Sequence, residues 1–306
     1  MIRLKLFIVN LLITFVLLTT NVFSKALPPG SGIGDIPANV LILLDKSGSM
    51  GARMTSGAGV RYPDSTAIDS SGNVYVAQYY TYGIKKFIYA TKAVDTTFAS
   101  SGNYRGSGSC RSYYPRSMKV HNGYLYVANY YGRRVFRINL TTGACDWNTY
   151  ANYPNALDIK QNFLYVPHRS ALLVRNLSTN SNVNCTFNGN LRNYGRYSWN
   201  VAVDNARDNL YFHNYRYLYR FTIGSNGCPS TNYASRIYRS SWRYAFGMRM
   251  HPTDDSIIYA ADYYGHKLYK LTMNAAKNAF SSVASMGRYG RQASSATSVR
   301  FYYPRG

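Results

Sequence analysis

The chain has 306 residues and is strongly basic, since 35 Lys and Arg against 12 Asp and Glu give a formal charge of +23. With so few acidic residues, neither a Ser/His/Asp triad nor a pair of catalytic carboxylates can be singled out. Tyrosine is unusually common, at 32 residues. A charge of this size predicts attraction to anionic partners.

Residues 1–26 have the pattern of a secretory signal peptide. Arg3 and Lys5 precede an apolar run over residues 6–18, and small residues around Lys25 suit a signal peptidase. The alternative, a transmembrane anchor, would need about 20 apolar residues. We therefore expect an exported protein, extracellular or at the cell surface, without a transmembrane segment and with a charge of +20 after cleavage.

Residues 27–38 form a Pro/Gly-rich linker, and a fully apolar run from Val40 to Leu44 follows it. Such a run is typical of a strand buried on both faces of a parallel sheet. It leads into Asp45, Ser47 and Ser49, whose carboxylate and hydroxyl oxygens are hard ligands suited to Mg²⁺. The ordinary alternative is a polar turn after a buried strand.

The Asp-x-Ser-x-Ser pattern resembles the metal-ion-dependent adhesion site of von Willebrand factor A domains, so residues 39–57 are similar to the start of such a domain. This resemblance implies Mg²⁺, or Mn²⁺ or Ca²⁺, at Asp45, Ser47 and Ser49. The helix that should follow is missing, and the further Thr and Asp ligands of the family cannot be assigned in this chain. We expect the rest of that domain beyond residue 306.

Residues 58–306 repeat a unit that is clearest over residues 114–140. Each unit carries a tyrosine within an apolar strand, here called the anchor tyrosine, and successive anchors are 51, 39, 46 and 48 residues apart. The five anchors are Tyr75, Tyr126, Tyr165, Tyr211 and Tyr259. Self-similarity at this period predicts stacked supersecondary units.

Each unit contains three short runs rich in Val, Ile, Leu, Phe and Tyr, bounded by Gly, Asn, Asp and Pro, and a weaker fourth run such as residues 97–99 or 185–187. Four short antiparallel strands per unit predict an all-β fold, a β-propeller. The units resemble NHL-type propeller repeats, through Tyr-Pro before the first strand, Ile68-Asp69 at its end, residues 72–77 as the second strand and residues 84–87 as the third. Together with the adhesion-site motif, this domain content is similar to type IV pilus-associated adhesins of the PilC/PilY family.

The Tyr-Pro pair precedes the anchor tyrosine closely in the first three units, at Pro63, Pro115 and Pro154. The same pair recurs at Tyr303-Pro304. We therefore expect five complete blades and a sixth that has only begun, in a chain truncated at its C-terminus.

Tyrosine and arginine concentrate in two classes of loop. In an up-and-down blade, the turn between strands two and three shares a face with the link to the next blade. The candidate ligand-binding residues are in the first class: Tyr79, Tyr80, Tyr130, Tyr131, Arg133, Arg134, Arg169, Tyr215, Arg216, Tyr217, Tyr263, Tyr264, His266 and Lys267. The links supply Arg61-Tyr62, Tyr113-Tyr114, Tyr153, Arg196-Tyr197, Arg243-Tyr244 and Tyr302-Tyr303.

These residues predict an adhesion protein whose Tyr/Arg-rich face binds an anionic surface polymer, a polysaccharide or a protein receptor, possible pilus components included. Tyr and Arg are enriched at interface hot spots, while a merely soluble basic surface is the simpler alternative. Export argues against cellular nucleic acid. Lys160, after the first strand of its blade, is predicted to lie on the opposite face.

A secreted metal-dependent propeller enzyme, a lyase or hydrolase, is the alternative function. His168, His213 and His266 fall at the ends of second strands or in the following turns and are predicted to lie on one face, and three histidines can hold a catalytic zinc. Their offsets from the anchor tyrosines differ, so we favour a non-enzymatic protein.

Four cysteines in an exported chain predict disulfides, with three possible pairings among Cys110, Cys145, Cys185 and Cys228. Cys145, Cys185 and Cys228 follow their anchor tyrosines by similar distances. We expect such equivalent positions on neighbouring blades to lie too far apart for a bridge.

Overall fold

The computed structural model describes residues 60, 63–79, 81–99, 102–169, 171–185, 198–204, 206–214, 217–230, 235–239, 245–289 and 300–301. The chain divides into two compact units, Met1–Val40 and Leu41–Gly306, and all described residues belong to the second. The predicted signal peptide, the linker, the adhesion-site motif and Tyr303-Pro304 lie outside the described residues.

The described residues form short strands and one short 3-10 helix, Gly108–Cys110. The first strands are β1 (Pro63–Ile68), β2 (Val74–Gln78), β3 (Ile84–Phe87), β4 (Pro115–His121), β5 (Tyr124–Asn129), β6 (Arg134–Asn139), β7 (Cys145–Tyr150), β8 (Asp158–Lys160), β9 (Phe163–His168), β10 (Ala171–Asn176) and β11 (Ser181–Asn182). The others are β12 (Ser198–Val203), β13 (Asn209–Asn214), β14 (Tyr217–Thr222), β15 (Ser235–Arg239), β16 (Ala245–Met250), β17 (Ile257–Asp262), β18 (Lys267–Met273), β19 (Phe280–Met286), β20 (Arg288–Tyr289) and β21 (Arg300–Phe301).

Strands β1 to β19 form five antiparallel sheets in chain order, the blades of a β-propeller, and β20 and β21 form a separate two-stranded parallel sheet. Blades 2 to 5 have four strands each: β4–β7, β8–β11, β12–β15 and β16–β19. Blade 1 has the three strands β1–β3, with isolated bridges at Val94 and Tyr104 beside β3. The first strands of successive blades are neighbours in space. The all-β propeller predicted from the repeats is confirmed, although the fourth strand of blade 3 lies at Ser181–Asn182 and not around Cys185.

Blades pack against each other through the anchor tyrosines. Tyr75, Tyr126, Tyr165 and Tyr211 are at most 2% exposed, and each lies in a core shared with the following blade. The following blade contributes apolar residues of its first three strands, such as Leu125 and Phe136 of blade 2 against Tyr75. A buried Tyr removes about 150–250 Å² from water. These contacts therefore supply much of the hydrophobic stabilisation that short sheets lack on their own.

Two disulfides, Cys110–Cys145 and Cys185–Cys228, tie the outer parts of the blades. The second bridge joins blades 3 and 4 with a Cα–Cα distance of 5.4 Å, so the expectation that such positions are too far apart is wrong. The reason is the loop after β14, which folds back onto blade 3. There the Tyr165 hydroxyl donates to the Gly227 carbonyl over 2.9 Å, and a Cβ at Gly227 would collide with the Phe163 ring.

Lys160, predicted to lie on the face opposite the Tyr/Arg-rich loops, is buried. Its side chain is 6% exposed, and its Nζ lies 3.0 Å from a carboxylate oxygen of Asp208 and donates to the Asp204 carbonyl over 2.7 Å. Lys277 of blade 5 is equally buried and pairs with Asp204 and Asp255. These ion pairs join blades 3, 4 and 5. They lie at the end of the blades opposite the turns that connect the second and third strands. Lys160 therefore stabilises the fold.

We predict that burial of His213 makes the protein less stable in mild acid. Burial lowers the pKa of His213 to about 3, whereas an unfolded histidine has a pKa of about 6.5. The neutral ring thus stabilises the fold fully above pH 6.5, and this contribution is lost as the pH falls towards 3. Between pH 7.5 and 5.0 the loss should be about 2 kcal/mol.

Urea unfolding of the wild type and of His213→Gln at both pH values measures this contribution. The substitution should reduce the pH dependence of the unfolding free energy by about 2 kcal/mol. The same dependence in both proteins would show that His213 does not cause it.

Candidate ligand-binding face

The structure brings the two loop classes together at one end of blades 1 to 3. The Tyr130 and Tyr131 amides, in the β5–β6 turn, donate to the Tyr114 and Tyr113 carbonyls over 3.0 and 3.1 Å. Asn129, 1% exposed at the end of β5, accepts from the Tyr113 amide over 2.6 Å and donates to the Arg111 carbonyl over 2.7 Å. The link between blades 1 and 2 is therefore hydrogen-bonded to the turn of blade 2.

A continuous series of tyrosine rings runs across these three blades. Tyr79 contacts Tyr114 edge-on at 4.0 Å between centroids, Tyr114 lies 5.7 Å from Tyr130, and Tyr130 lies 5.1 Å from Tyr153 of blade 3. Beside this series, Tyr82 stacks on Tyr113 at 4.7 Å with the two planes 9° apart. We call this surface, with its arginines, the tyrosine face. Its rings are Tyr79, Tyr82, Tyr113, Tyr114, Tyr130, Tyr131 and Tyr153.

Four guanidinium groups lie against these rings. Arg116 lies 3.8 Å above Tyr130 and donates a hydrogen bond to Asn155 of blade 3. Arg133 and Arg169 both lie over Tyr153, at 4.5 and 5.8 Å. Arg111 lies 5.5 Å from the Tyr113 ring. Each contact is a cation–π interaction worth about 0.5–1 kcal/mol at an exposed site, and together they hold positive charge on the tyrosine face.

Arg133 combines exposure with a fixed position. The guanidinium donates a hydrogen bond to the Tyr153 hydroxyl, and this bond raises its pKa above the ordinary value. Arg133 thus stays charged at all physiological pH values. Because the hydrogen bond to Tyr153 already holds its guanidinium group in place, binding an anion costs little side-chain entropy.

Not every residue of the tyrosine face can touch a ligand. Tyr113 and Tyr131 are 40% and 50% exposed, whereas Tyr114 is 2% exposed and supports the rings around it. In blade 5, Tyr264 is 48% exposed, but His266 is 8% exposed and is therefore buried. The accessible part of the face consists of the outer rings and the arginines beside them.

The turns between the second and third strands of blades 2 and 5 share one structural feature. The third residue after the anchor tyrosine, Asn129 or Asp262, folds over the following turn, and a Cβ at Gly132 or Gly265 would collide with it. In blade 5 the Gly265 amide donates to the Asp262 carboxylate over 3.0 Å. The polar side chain thus occupies the space that a Cβ would need, and in blade 5 the turn presents Tyr263 and Tyr264, 4.8 Å apart.

Other predicted site residues lie elsewhere or outside the described residues. Arg134 donates to the Asn148 side chain over 2.7 Å, along the sheet of blade 2. Tyr217 packs beside Tyr219 and the core shared by blades 3 and 4. Lys267 is the first residue of β18 and is partly exposed. Tyr80, Tyr215, Arg216 and the motif residues Asp45, Ser47 and Ser49 lie outside the described part of the chain.

Arg116 and Asn155 belong to the tyrosine face but were not predicted from the sequence. Arg116 occupies a β-bulge, because the register of β4 and β5 shifts between Pro115 and Ser117. Bulges at the same place in β1, β12 and β16 show that the shift repeats from blade to blade. A bulge redirects the side chain of the extra residue. One sequence feature could have indicated these two residues: they follow the Tyr-Pro pair directly, Arg116 in blade 2 and Asn155 in blade 3.

A second polar cluster lies deeper, on the first strands around the centre. Lys119 of β4 pairs with the buried Asp158 of β8 over 2.9 Å, and Asp158 accepts from the Val203 amide of β12 over 3.0 Å. Arg249 of β16 donates to the Ser117 hydroxyl and the Met118 carbonyl of β4, both over 3.3 Å. Burial alone would raise the pKa of Asp158, but Lys119 and Arg249 hold it below its usual range.

The three histidines of the enzyme hypothesis do not form a cluster with other ligands. His213 is fully buried, and burial lowers the pKa of His168 to about 4. Within the described residues, no group of three or more His, Cys, Asp and Glu side chains is placed to hold a metal ion. The described part of the chain also contains no helix long and apolar enough to cross a membrane.

Comparison with known proteins supports the fold and leaves the family open. No family model matches the chain, so none supports the NHL, von Willebrand A or PilC/PilY resemblances, and no curated protein matches it. Among solved structures it is similar to selenomethionine-substituted virginiamycin B lyase from Staphylococcus aureus. That match has a TM-score of 0.53 and 10% identity and covers 77% of this chain and 71% of the lyase. The chain is a β-propeller, and this distant likeness concerns the fold alone.

We predict that the central cluster stabilises the fold. Asp158→Ala would leave Lys119 without its partner and the Val203 amide unsatisfied, so the free energy of unfolding should fall by about 3 kcal/mol. Asp146→Ala is the matched control. Asp146 also pairs with a cation, Arg137, but it is 39% exposed where Asp158 is 3% exposed, so its ion pair should contribute less than about 1 kcal/mol to the free energy of unfolding. Urea unfolding compares the two variants. Equal small losses would show that the buried pair is not a structural requirement.

Proposed function

We propose that this propeller is a non-enzymatic, NHL-type binding module whose tyrosine face takes an anionic polymer, most simply an acidic polysaccharide. The observation that carries the proposal is the continuous ring series across blades 1 to 3, with guanidinium groups positioned against it. Aromatic rings offer flat apolar contact and arginines pair with carboxylate or sulfate groups. A polymer with both flat and acidic parts contacts the rings and the arginines together.

The net charge supports the same class of partner. A chain of +23 attracts polyanions from a distance, and each arginine that contacts the polymer displaces a counterion. Charge alone gives unspecific attraction. The tyrosine face adds fixed positions to this attraction, because Arg116, Arg133 and Arg169 lie against tyrosine rings.

We further propose that the protein acts outside the cell, at the cell surface or on a pilus, in adhesion. The signal-peptide pattern motivates export, and two disulfides with no free cysteine among the described residues fit an oxidising compartment. An extracellular site makes a surface polysaccharide or protein receptor a suitable partner and cellular nucleic acid an unsuitable one.

The adhesion-site motif adds a proposed metal. Asp45, the only charged ligand of the motif, would bind Mg²⁺, Mn²⁺ or Ca²⁺ with the hydroxyls of Ser47 and Ser49, once the remaining ligands of the A domain are supplied. Titration of the complete protein with Mg²⁺ should show a site that Asp45→Ala abolishes. Unchanged affinity in the variant would reduce the motif to a polar turn.

Substitutions in the tyrosine face should separate the contribution of charge to binding from that of aromatic stacking. Arg133→Ala with Arg169→Ala should weaken binding to an acidic polysaccharide and lower its salt dependence, because two fewer counterions are displaced. Tyr113→Ala with Tyr131→Ala should weaken binding roughly tenfold with little change in salt dependence, since stacking is not screened by salt. Binding curves at two salt concentrations measure both effects.

Lys92→Ala is the matched control. Lys92 is an exposed cation in the turn after β3, at the opposite end of the strands, and its loss removes one positive charge without touching the tyrosine face. Lys92→Ala should therefore weaken binding less, per positive charge removed, than the two arginine substitutions. Equal small losses from the Arg, Tyr and Lys variants would show diffuse attraction to a basic surface and would contradict the proposal.

A further inference from the structure

Two rings of the tyrosine face lie in nearly parallel planes. Tyr82, in the β2–β3 turn of blade 1, stacks on Tyr113, in the link before blade 2, with 4.7 Å between centroids and 9° between planes. The neighbouring pairs Tyr79–Tyr114 and Tyr114–Tyr130 are instead edge-on, with planes 67° and 71° apart. The stacked pair therefore differs from its neighbours in how the two π systems face each other.

The backbone on both sides of the stacked pair is hydrogen-bonded in place. The Gln78 amide donates to the Gly83 carbonyl over 2.9 Å, which closes the turn that carries Tyr82. The Tyr113 amide donates to the Asn129 side chain over 2.6 Å. Because both segments are held, the two rings stay close together without a separate ordering step.

The stacked pair is also open to reagents in solution. Tyr113 is 40% exposed and Tyr82 is partly exposed, whereas Tyr114 beside them is 2% exposed. Thiols reduce tyrosyl radicals, but all four cysteines of the chain lie among the described residues and form disulfides. A radical formed at Tyr82 or Tyr113 therefore meets no thiol of this protein that would quench it.

The parallel arrangement suits one reaction of tyrosine, the coupling of two radicals. A one-electron oxidant takes an electron from the phenol, the hydroxyl proton leaves, and a neutral phenoxyl radical remains. Its unpaired electron is shared between the oxygen and ring carbons that include the Cε atoms, in orbitals perpendicular to the ring plane. Stacked rings direct these orbitals at each other, whereas edge-on rings hold them roughly at right angles. Tyr82 and Tyr113 thus have the orientation that forms a carbon–carbon bond.

We propose that Tyr82 and Tyr113 are a site of oxidative cross-linking, at which a peroxide-dependent one-electron oxidant of the haem peroxidase class converts the two phenols to dityrosine. The two side chains together lose two electrons and two protons, and the two radicals join through one Cε–Cε bond. The hydrogen on each coupled carbon is then exchanged for one on the oxygen, which restores both phenols. The two electrons and two protons reduce one hydrogen peroxide to two waters.

The cross-link reinforces the connection between blades 1 and 2. Blade 1 has three strands, and the described chain between β3 and β4 contains isolated bridges and one 3-10 helix, Gly108–Cys110. A bond from the β2–β3 turn to Tyr113 closes this segment into a covalent loop and lowers the entropy of the unfolded chain. The cross-linked monomer should therefore unfold at a higher temperature than the untreated protein. This role is separate from polymer binding and does not depend on it.

Treatment of the dilute purified protein with a haem peroxidase and hydrogen peroxide tests the proposal. The expected product is a monomer with dityrosine fluorescence, in which peptide mass spectrometry finds residues 82 and 113 joined with the loss of two hydrogen atoms. Tyr82→Phe and Tyr113→Phe should each abolish this cross-linked peptide. Tyr131→Phe is the matched control and should keep it, because Tyr131 is 50% exposed on the same face but its ring packs on Tyr114.

Three results would overturn the proposal. One is coupling mainly between other exposed tyrosines, such as Tyr89, Tyr150 or Tyr264, or between two protein molecules. Another is a monomer that forms no dityrosine, and the third is an equal yield of the joined peptides from urea-unfolded protein, in which the stacking is lost. The reaction contains no polysaccharide, so none of these results bears on polymer binding by the tyrosine face, and the two proposals fail independently.

Discussion

The structure depends on the burial of one tyrosine from each of blades 1 to 4 against the blade that follows. A single blade cannot bury its apolar faces alone, and it gains stability when a neighbouring blade covers them. Tyr75, Tyr126, Tyr165 and Tyr211 provide that cover in the middle of the second strand, where the ring reaches the apolar residues of the next sheet. Two of the hydroxyl groups donate at the edge of the core, that of Tyr75 to Asp69 and that of Tyr165 to the Gly227 carbonyl.

This packing also positions the candidate site. Because the anchor fixes how each blade sits on the next, the turn after the second strand meets the link between blades at the same end of the structure. Asn129 then hydrogen-bonds the link in place, and the rings of Tyr114, Tyr130 and Tyr153 come into contact across blade boundaries. The tyrosine face is thus a consequence of the repeat, and its arginines lie on a surface that the fold holds rigid.

The repeat made much of this predictable from the sequence. The anchor tyrosines define the blades, the residues predicted for the second and third strands of blade 1 match β2 and β3, and the two loop classes meet in blades 1 to 3. These features depend on local pattern and on the simple alternation of an up-and-down sheet.

The parts that sequence reasoning missed depend on geometry between blades. Arg116 reaches the tyrosine face through a bulge, which shifts the alternation of side chains by one residue. Lys160 is buried because Asp204 and Asp208 of the next blade approach it, and Cys185 meets Cys228 because a loop of blade 4 folds back. Neither a bulge nor the path of a loop can be read from periodicity, since both are set by packing.

The most direct test of the tyrosine face is chemical nitration of tyrosine with and without a saturating acidic polysaccharide, read by peptide mass spectrometry. Tyr113, Tyr131 and Tyr264 are 40–50% exposed at the end where the loops meet, and Tyr89 is 53% exposed at the opposite end. The account predicts that the polymer slows nitration of Tyr113 and Tyr131 several-fold and leaves Tyr89 unchanged. Equal protection of all four tyrosines, or protection of Tyr89 alone, would contradict it.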